Sequence, residues 1–170
     1  EVVAFPCPNA NDLGFRVAIE MEDESIEDEH VGVDAVGVGA GTVNKLRERD
    51  RFVSALNGGA RPQPQEWEEE QWNNLRSQMW WTLREDLRLG RVALPPDDEL
   101  ATDLTAPCWE TRNGKIVVES KETIRGRLPH GRSPNKGDAC VYGNFVRSRE
   151  PVASEVRPRV ARTLMERERE

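Results

Sequence analysis

The sequence predicts an α/β fold, a mixed sheet flanked by helices, and two observations predict it. Short apolar runs bounded by turn residues alternate with longer segments of helical period through the first half of the chain. That alternation implies an α/β layer with mainly parallel strands. A hairpin signal, Asn113-Gly114 between two apolar runs, comes only afterwards and adds an antiparallel pair. No internal repeat interrupts this order.

Val2–Phe5 is a short strand in this reading, stopped by Pro6 and Pro8. Asn11 or Asp12 caps a helix to about Glu24, with Leu13, Val17 and Met21 at four-residue spacing. Val31–Val36 is a buried strand, Thr42 caps a short helix to about Arg49, and Phe52–Leu56 is another strand, closed by Asn57-Gly58-Gly59. Two prolines make Arg61–Gln65 a loop. Trp72, Leu75, Met79, Trp80, Leu83 and Leu87 then follow spacings of three and four, and Gly90 stands where a helix-ending glycine belongs. Aromatic residues at that period pack inward more often than they stack on bases. Val92–Leu94 is extended, Asp97 or Asp98 caps a helix through Leu104, and Cys108–Thr111 pairs with Lys115–Glu119. A short helix covers about Lys121–Leu128. The last runs from Pro134 to about Arg149, burying Ala139, Val141, Tyr142, Phe145 and Val146. Residues 1–149 form one domain, and 150–170 are a charged tail.

Composition narrows the chemistry. The chain has 170 residues, a formal net charge of −7 and 32% charged residues. It has no long apolar run for a membrane span and no basic-then-apolar start of a signal peptide. Cys7, Cys108 and Cys140 are widely spaced and odd in number, which points to reduced thiols rather than a disulfide framework or zinc site. Only His30 and His130 are present, so a metal here takes oxygen ligands, as Mg²⁺, Mn²⁺ or Ca²⁺ do. Acid gathers in Glu20–Glu29 and Glu66–Glu70. Between Arg112 and Lys136, however, seven Lys/Arg face two acids. Such a segment either contacts a polyanion or is a solvated charged face.

Two carboxylates stand in defined backbone contexts. Asp34 ends the Val31–Val36 strand, just before Gly37-Val-Gly39-Ala-Gly41. A dinucleotide fingerprint needs Gly or Ala where Thr42 stands, and an acid at the strand end repels a pyrophosphate. No Gly-Lys-Ser/Thr follows, so it is not a P-loop. The glycines instead let the chain turn beside Asp34 and leave room for a large ligand. Asp138 lies in the first turn of the helix that Ser133-Pro134 starts, either as a structural cap or as a metal ligand. Arg132, Ser133 and Lys136 beside it favour the ligand.

From Glu29 to Arg147 the chain resembles the C-terminal nuclease domain of the large terminase subunit of tailed phages and related viruses. Val33-Asp34-Ala-Val-Gly-Val-Gly-Ala-Gly41 looks like that family's second acidic motif, and Asn57-Gly-Gly59 like the stretch after its next strand. Trp80-Trp-Thr-Leu-Arg84, Leu94-Pro-Pro-Asp97-Asp-Glu-Leu100 and Gly114-Lys-Ile-Val-Val-Glu119-Ser-Lys121 resemble its middle region. Arg132-Ser-Pro-Asn-Lys-Gly-Asp138-Ala139 is similar to its third acidic motif.

The resemblance implies an RNase H-like fold and a metal-dependent endonuclease that cuts double-stranded DNA during viral genome packaging. It implies a two-metal Mg²⁺ or Mn²⁺ site with Asp34 and Asp138 as ligands. Charge and position make Lys121, Arg125, Arg127, Arg132 and Lys136 candidates for phosphate contact. Implied partners are the terminase ATPase domain, the small terminase subunit and the portal, in the cytoplasm of an infected host or from a prophage. One departure stands out. The family's first acid lies on an early strand, and Glu1–Cys7 carries no Asp, so the fragment is expected to begin after that ligand and to lack the first strands of the sheet. No ATPase motif is present. Alternatives are a junction resolvase or other RNase H-like nuclease, or a degenerate module of the same fold that binds DNA or a capsid partner.

Overall fold

A computed structural model describes residues 7, 9–63 and 71–148. The strand expected at Val2–Phe5, the acidic run 66–70 and the tail after Pro151 lie outside the described residues.

The first helix, α1 (Ala10–Asp23), starts earlier than expected. Asn9 caps it, its side chain accepting from the Asp12 backbone N–H at 3.0 Å. Asp12, an expected cap, therefore sits in the first turn, where the helix dipole favours a carboxylate. Strand β1 (Gly32–Asp34) pairs in parallel with β2 (Ser54–Leu56), Gly32 opposite Ser54 and Asp34 opposite Leu56. The sheet is parallel there, as the alternating pattern predicts.

Between these strands, α2 (Val38–Arg47) corrects the expected start at Thr42. Gly37, at φ 61°, makes the turn out of β1. Gly39 then lies so close to the strand end that a Cβ built on it would meet the Asp34 carbonyl oxygen at 1.5 Å. Thr42 is buried inside the helix, and its hydroxyl donates to the Val38 carbonyl at 3.2 Å. The glycines thus serve the close packing of α2 on the end of β1, rather than room for a ligand.

Helix α3 (Leu75–Arg88) begins after Trp72, with Asn74 as its cap. Trp72 instead belongs to a short backbone bridge. Asn73 N–H donates to Ile116 O at 2.9 Å, and Ile116 N–H to Gln71 O at 2.7 Å. Helix α4 (Asp98–Thr105) is capped by Asp97 as expected. Strands β3 (Trp109–Arg112) and β4 (Lys115–Val118) form the antiparallel hairpin. Its turn residues Asn113 and Gly114 both have positive φ, 52° and 75°, which matches the twist of the strands. Ser120 caps the short α5 (Lys121–Arg125), and Pro134 precedes α6 (Asn135–Arg147).

The main core lies between α3 and α6, where Leu75, Met79, Trp80 and Leu83 meet Val141, Tyr142, Phe145 and Val146. Leu56 from β2 and Val118 from β4 close it. Burial of each such side chain stabilises by about 1.5–3 kcal/mol. Trp72 and Trp80 are buried, so both are core residues. Ala139, expected inside, faces solvent. A smaller cluster of Ala18, Met21, Leu46 and Val53 joins α1 to α2. Because α6 packs across β1 as well as α3, its first turn is carried to the end of the parallel strands.

Candidate metal centre

Asp34 is the last residue of β1, held in register by the Ala35 N–H bond to Leu56 O at 2.7 Å. Its own side chain folds back, Oδ1 accepting from the Val36 N–H at 3.1 Å. That bond fixes one oxygen and leaves Oδ2 to accept from Lys121. Asp138 comes from the opposite direction in the first turn of α6, with its side chain only 8% exposed. Between the two stands Lys121, the first residue of α5. Its Nζ lies 3.1 Å from Asp34 Oδ2 and 3.1 Å from Asp138 Oδ2. The structure therefore brings together three of the residues singled out from sequence. Both inward carboxylate oxygens are within contact of a single positive nitrogen.

The Asp138 pairing is incomplete. Arg76 Nη1 donates to Oδ1 at 3.0 Å. Oδ2 has no hydrogen-bond partner, because Lys121 is near enough for an ion pair but poorly aligned for a hydrogen bond. Arg76 also donates from Nε to the Glu119 carbonyl at 3.0 Å and lies over the Trp80 ring at 5.4 Å. Tyr142, one turn after Asp138 on α6, fills the floor. Burial, then the negative charges of Asp34 and Asp138, push its phenol far above the ordinary tyrosine range. Burial opposes the charge on Lys121, but Asp138 and Asp34 together outweigh it, and its pKa is raised. Asp34, Arg76, Lys121 and Tyr142 line a cleft of about 840 Å³, with Gly58 and the hairpin residue Trp109 at its walls, and Asp138 lies buried behind Lys121.

The other basic candidates are placed differently. Arg132 pairs with Asp103 and Glu99, and Lys136 with Asp97 and Glu99, all on or beside α4. Arg127 forks onto Glu119 and reaches the Ala106 carbonyl. Arg125 is exposed, donating from Nε to Gly131 O at 3.0 Å. Sequence reasoning missed Arg76 altogether. Nothing local marks it, since its partner Asp138 lies 62 residues away. Tyr142 was legible as buried, and its four-residue spacing from Asp138 was the signal that it shares the same face.

The residues present suit a hard divalent cation. An ammonium stands between two carboxylates, and one buried carboxylate oxygen lacks a hydrogen bond. Among the described residues no group of three or more His, Cys, Asp or Glu comes together. Two carboxylates nevertheless match the way Mg²⁺ is held, with water and substrate phosphate completing its shell.

The fold these elements define is a mixed α/β one with small parallel and antiparallel sheets, the class that the sequence predicts. Among solved structures, the chain is similar to the nuclease domain of the large terminase subunit gp2 of bacterial virus Sf6. The TM-score is 0.60 and the identity 20%, over 79% of this chain and 71% of that one. A mutant form of that domain with manganese gives a TM-score of 0.58 at 20% identity, over 79% and 72%. The mutant with calcium gives 0.58 at 20% identity, over 79% and 71%. No family model and no curated protein matches the chain. Among the described residues no helix is long and apolar enough to cross a membrane.

Proposed function

We propose that this chain is the metal-dependent endonuclease domain of a viral DNA-packaging terminase, cutting double-stranded DNA by two-metal phosphodiester hydrolysis. One observation carries the proposal: carboxylates from a strand end and a distant helix start converge on one cation position, the Lys121 ammonium, at the side of a cleft large enough for a phosphodiester. The likeness to terminase nuclease domains supports the same assignment.

In this proposal Asp34 and Asp138 hold the metal, Mg²⁺ or Mn²⁺. When bound, divalent ions offset the charge of the scissile phosphate and make water a nucleophile near neutral pH. Asp34 is held by the Val36 N–H and Asp138 by Arg76, so each presents its Oδ2. With a metal held by the two acids, the Lys121 ammonium would be free to serve the phosphate. Arg125 supplies an exposed positive charge outside the cleft. Arg127, Arg132 and Lys136 join it only by giving up their internal ion pairs. DNA binding through such contacts is non-specific and weakens with salt. The ATPase domain, small subunit and portal of a packaging machine, in the cytoplasm of an infected host, are the partners and setting proposed with this activity.

A second reading has its own support. Two cations already face the two acids, as a degenerate, DNA-binding module would have them. Incubation with supercoiled plasmid separates the two. The nuclease nicks plasmid with Mn²⁺ and loses that activity in Asp138→Asn. DNA retention with no Mn²⁺ binding by the unmodified chain supports the binding module instead.

A further inference from the structure

Arg76 holds a position that an ordinary surface ion pair does not explain. It lies in the first turn of α3, and its side chain is 11% exposed. Its backbone N–H donates to Gly58 O at 2.9 Å, which ties the residue to the loop after β2. Its guanidinium spans the gap between two further elements, with Nε on the Glu119 carbonyl at the end of β4 and Nη1 on Asp138 Oδ1 of α6, both at 3.0 Å. The Trp80 ring, one turn along α3, backs the guanidinium. A planar guanidinium bonded at both Nε and Nη1 and backed by an aromatic ring has little freedom to rotate.

We infer that Arg76 is a positioning residue for the metal: it commits Asp138 Oδ1 and so directs Oδ2 at the cation position that Lys121 Nζ now fills, as a one-oxygen ligand. The inference rests on the nuclease reading above. It adds that the aim of Asp138 is set by a residue that bonds the ligand rather than the ion. Asp138 Oδ2 is buried, makes no aligned hydrogen bond and faces the Lys121 ammonium at 3.1 Å, where a cation would stand. Lysine cannot replace arginine here, because one ammonium on a flexible stem does not hold the β4 carbonyl and the α6 carboxylate in one plane. Partners behind metal ligands commonly contribute about 10–100-fold in metal affinity.

A double-mutant cycle read by Mn²⁺ titration calorimetry on the 170-residue chain tests this, at a temperature where circular dichroism shows each variant folded. Arg76→Met is expected to weaken Mn²⁺ binding by about tenfold or more, and Arg76→Lys to weaken it in the same direction by less. In an Asp138→Asn background, Arg76→Met is expected to add under about twofold, because the ligand it aims is already gone. A purely structural arginine would lower stability and leave this coupling at zero. Unchanged or tighter Mn²⁺ binding in Arg76→Met overturns the inference, as does an equal loss in both backgrounds. Should Arg76→Met not fold, Arg76→Lys decides alone, and wild-type affinity in it overturns the inference. If the unmodified chain binds no Mn²⁺, the nuclease reading falls and this inference with it. If it binds Mn²⁺ and Arg76 variants match it, only this inference falls.

Discussion

Helix α6 begins between two clusters of mixed charge that have opposite hydrogen-bond balances. On one side is Asp103 of α4, with no exposed side-chain surface. Its Oδ1 accepts from Arg132 at 2.5 Å, and its Oδ2 accepts from the backbone N–H groups of Lys136 at 3.1 Å and Gly137 at 3.2 Å. Around it Lys136 bonds Asp97 at 2.7 Å, and that bond holds Asp97 below the usual carboxylate range. Pro134 offers α6 no side-chain cap, so a carboxylate from another helix satisfies its first free donors. On the other side is Asp138, almost as buried, with one oxygen hydrogen-bonded and the other facing the half-exposed Lys121 ammonium without an aligned bond. A buried carboxylate whose oxygens are all bonded fastens two helices. A buried carboxylate with an oxygen left over is placed for something else. Residue type and burial alone do not separate these two aspartates; the hydrogen-bond balance does.

The largest expected effect tests the fastening side. Asp103→Ala leaves the Arg132 charge and two helix-start N–H groups without their acceptor, and costs about 3 kcal/mol in urea unfolding. Asp138→Asn keeps an acceptor for Arg76 but removes the charge that Arg76 and Lys121 both face. Lys121 can turn to solvent, so the change costs about 2 kcal/mol, yet abolishes Mn²⁺-dependent nicking. Equal stability losses in the two variants would erase the distinction.

A smaller effect sharpens the site side. Tyr142 is the single tyrosine of the chain, so alkaline absorbance reads it alone. Its folded pKa lies above its unfolded value of about 10. The fold therefore favours the protonated phenol. The stability this gives is complete below about pH 10 and is lost as pH rises further. Tyrosinate absorbance should appear only as the chain unfolds, and Tyr142→Phe should flatten the alkaline loss of stability. It should not abolish it, because Lys121, also raised, loses its contribution in the same direction. Ionisation of Tyr142 near pH 10 in the folded chain would contradict the packing described.

How much of this was legible in the sequence depends on the distance over which each feature is decided. The Asn113-Gly114 turn, the Asp97 cap and the apolar face of α3 are settled within a few residues, and they were readable. Asp34 and Asp138 were readable as individual residues because a strand end and a Ser-Pro helix start are local contexts. Their convergence on Lys121 depends on the whole fold. Arg132 and Lys136 show the limit most clearly. In sequence they are unpaired cations beside Asp138. In space their partners Asp97, Glu99 and Asp103 come from a helix some 30 to 40 residues earlier. The Gly37–Gly41 stretch misled for a related reason. A glycine that admits a ligand and a glycine that admits a helix look the same until the neighbour is known, and here the neighbour of Gly39 is the Asp34 carbonyl.

The account's central claim is that Asp34 and Asp138 share one cation position, which Lys121 fills with its ammonium. Anomalous diffraction from crystals soaked in Mn²⁺ tests it most directly. The account predicts a peak at coordination distance, about 2.0–2.6 Å, from both carboxylates, with the Lys121 ammonium displaced. A Mn²⁺ peak elsewhere, with Lys121 still bridging the two aspartates, would contradict it.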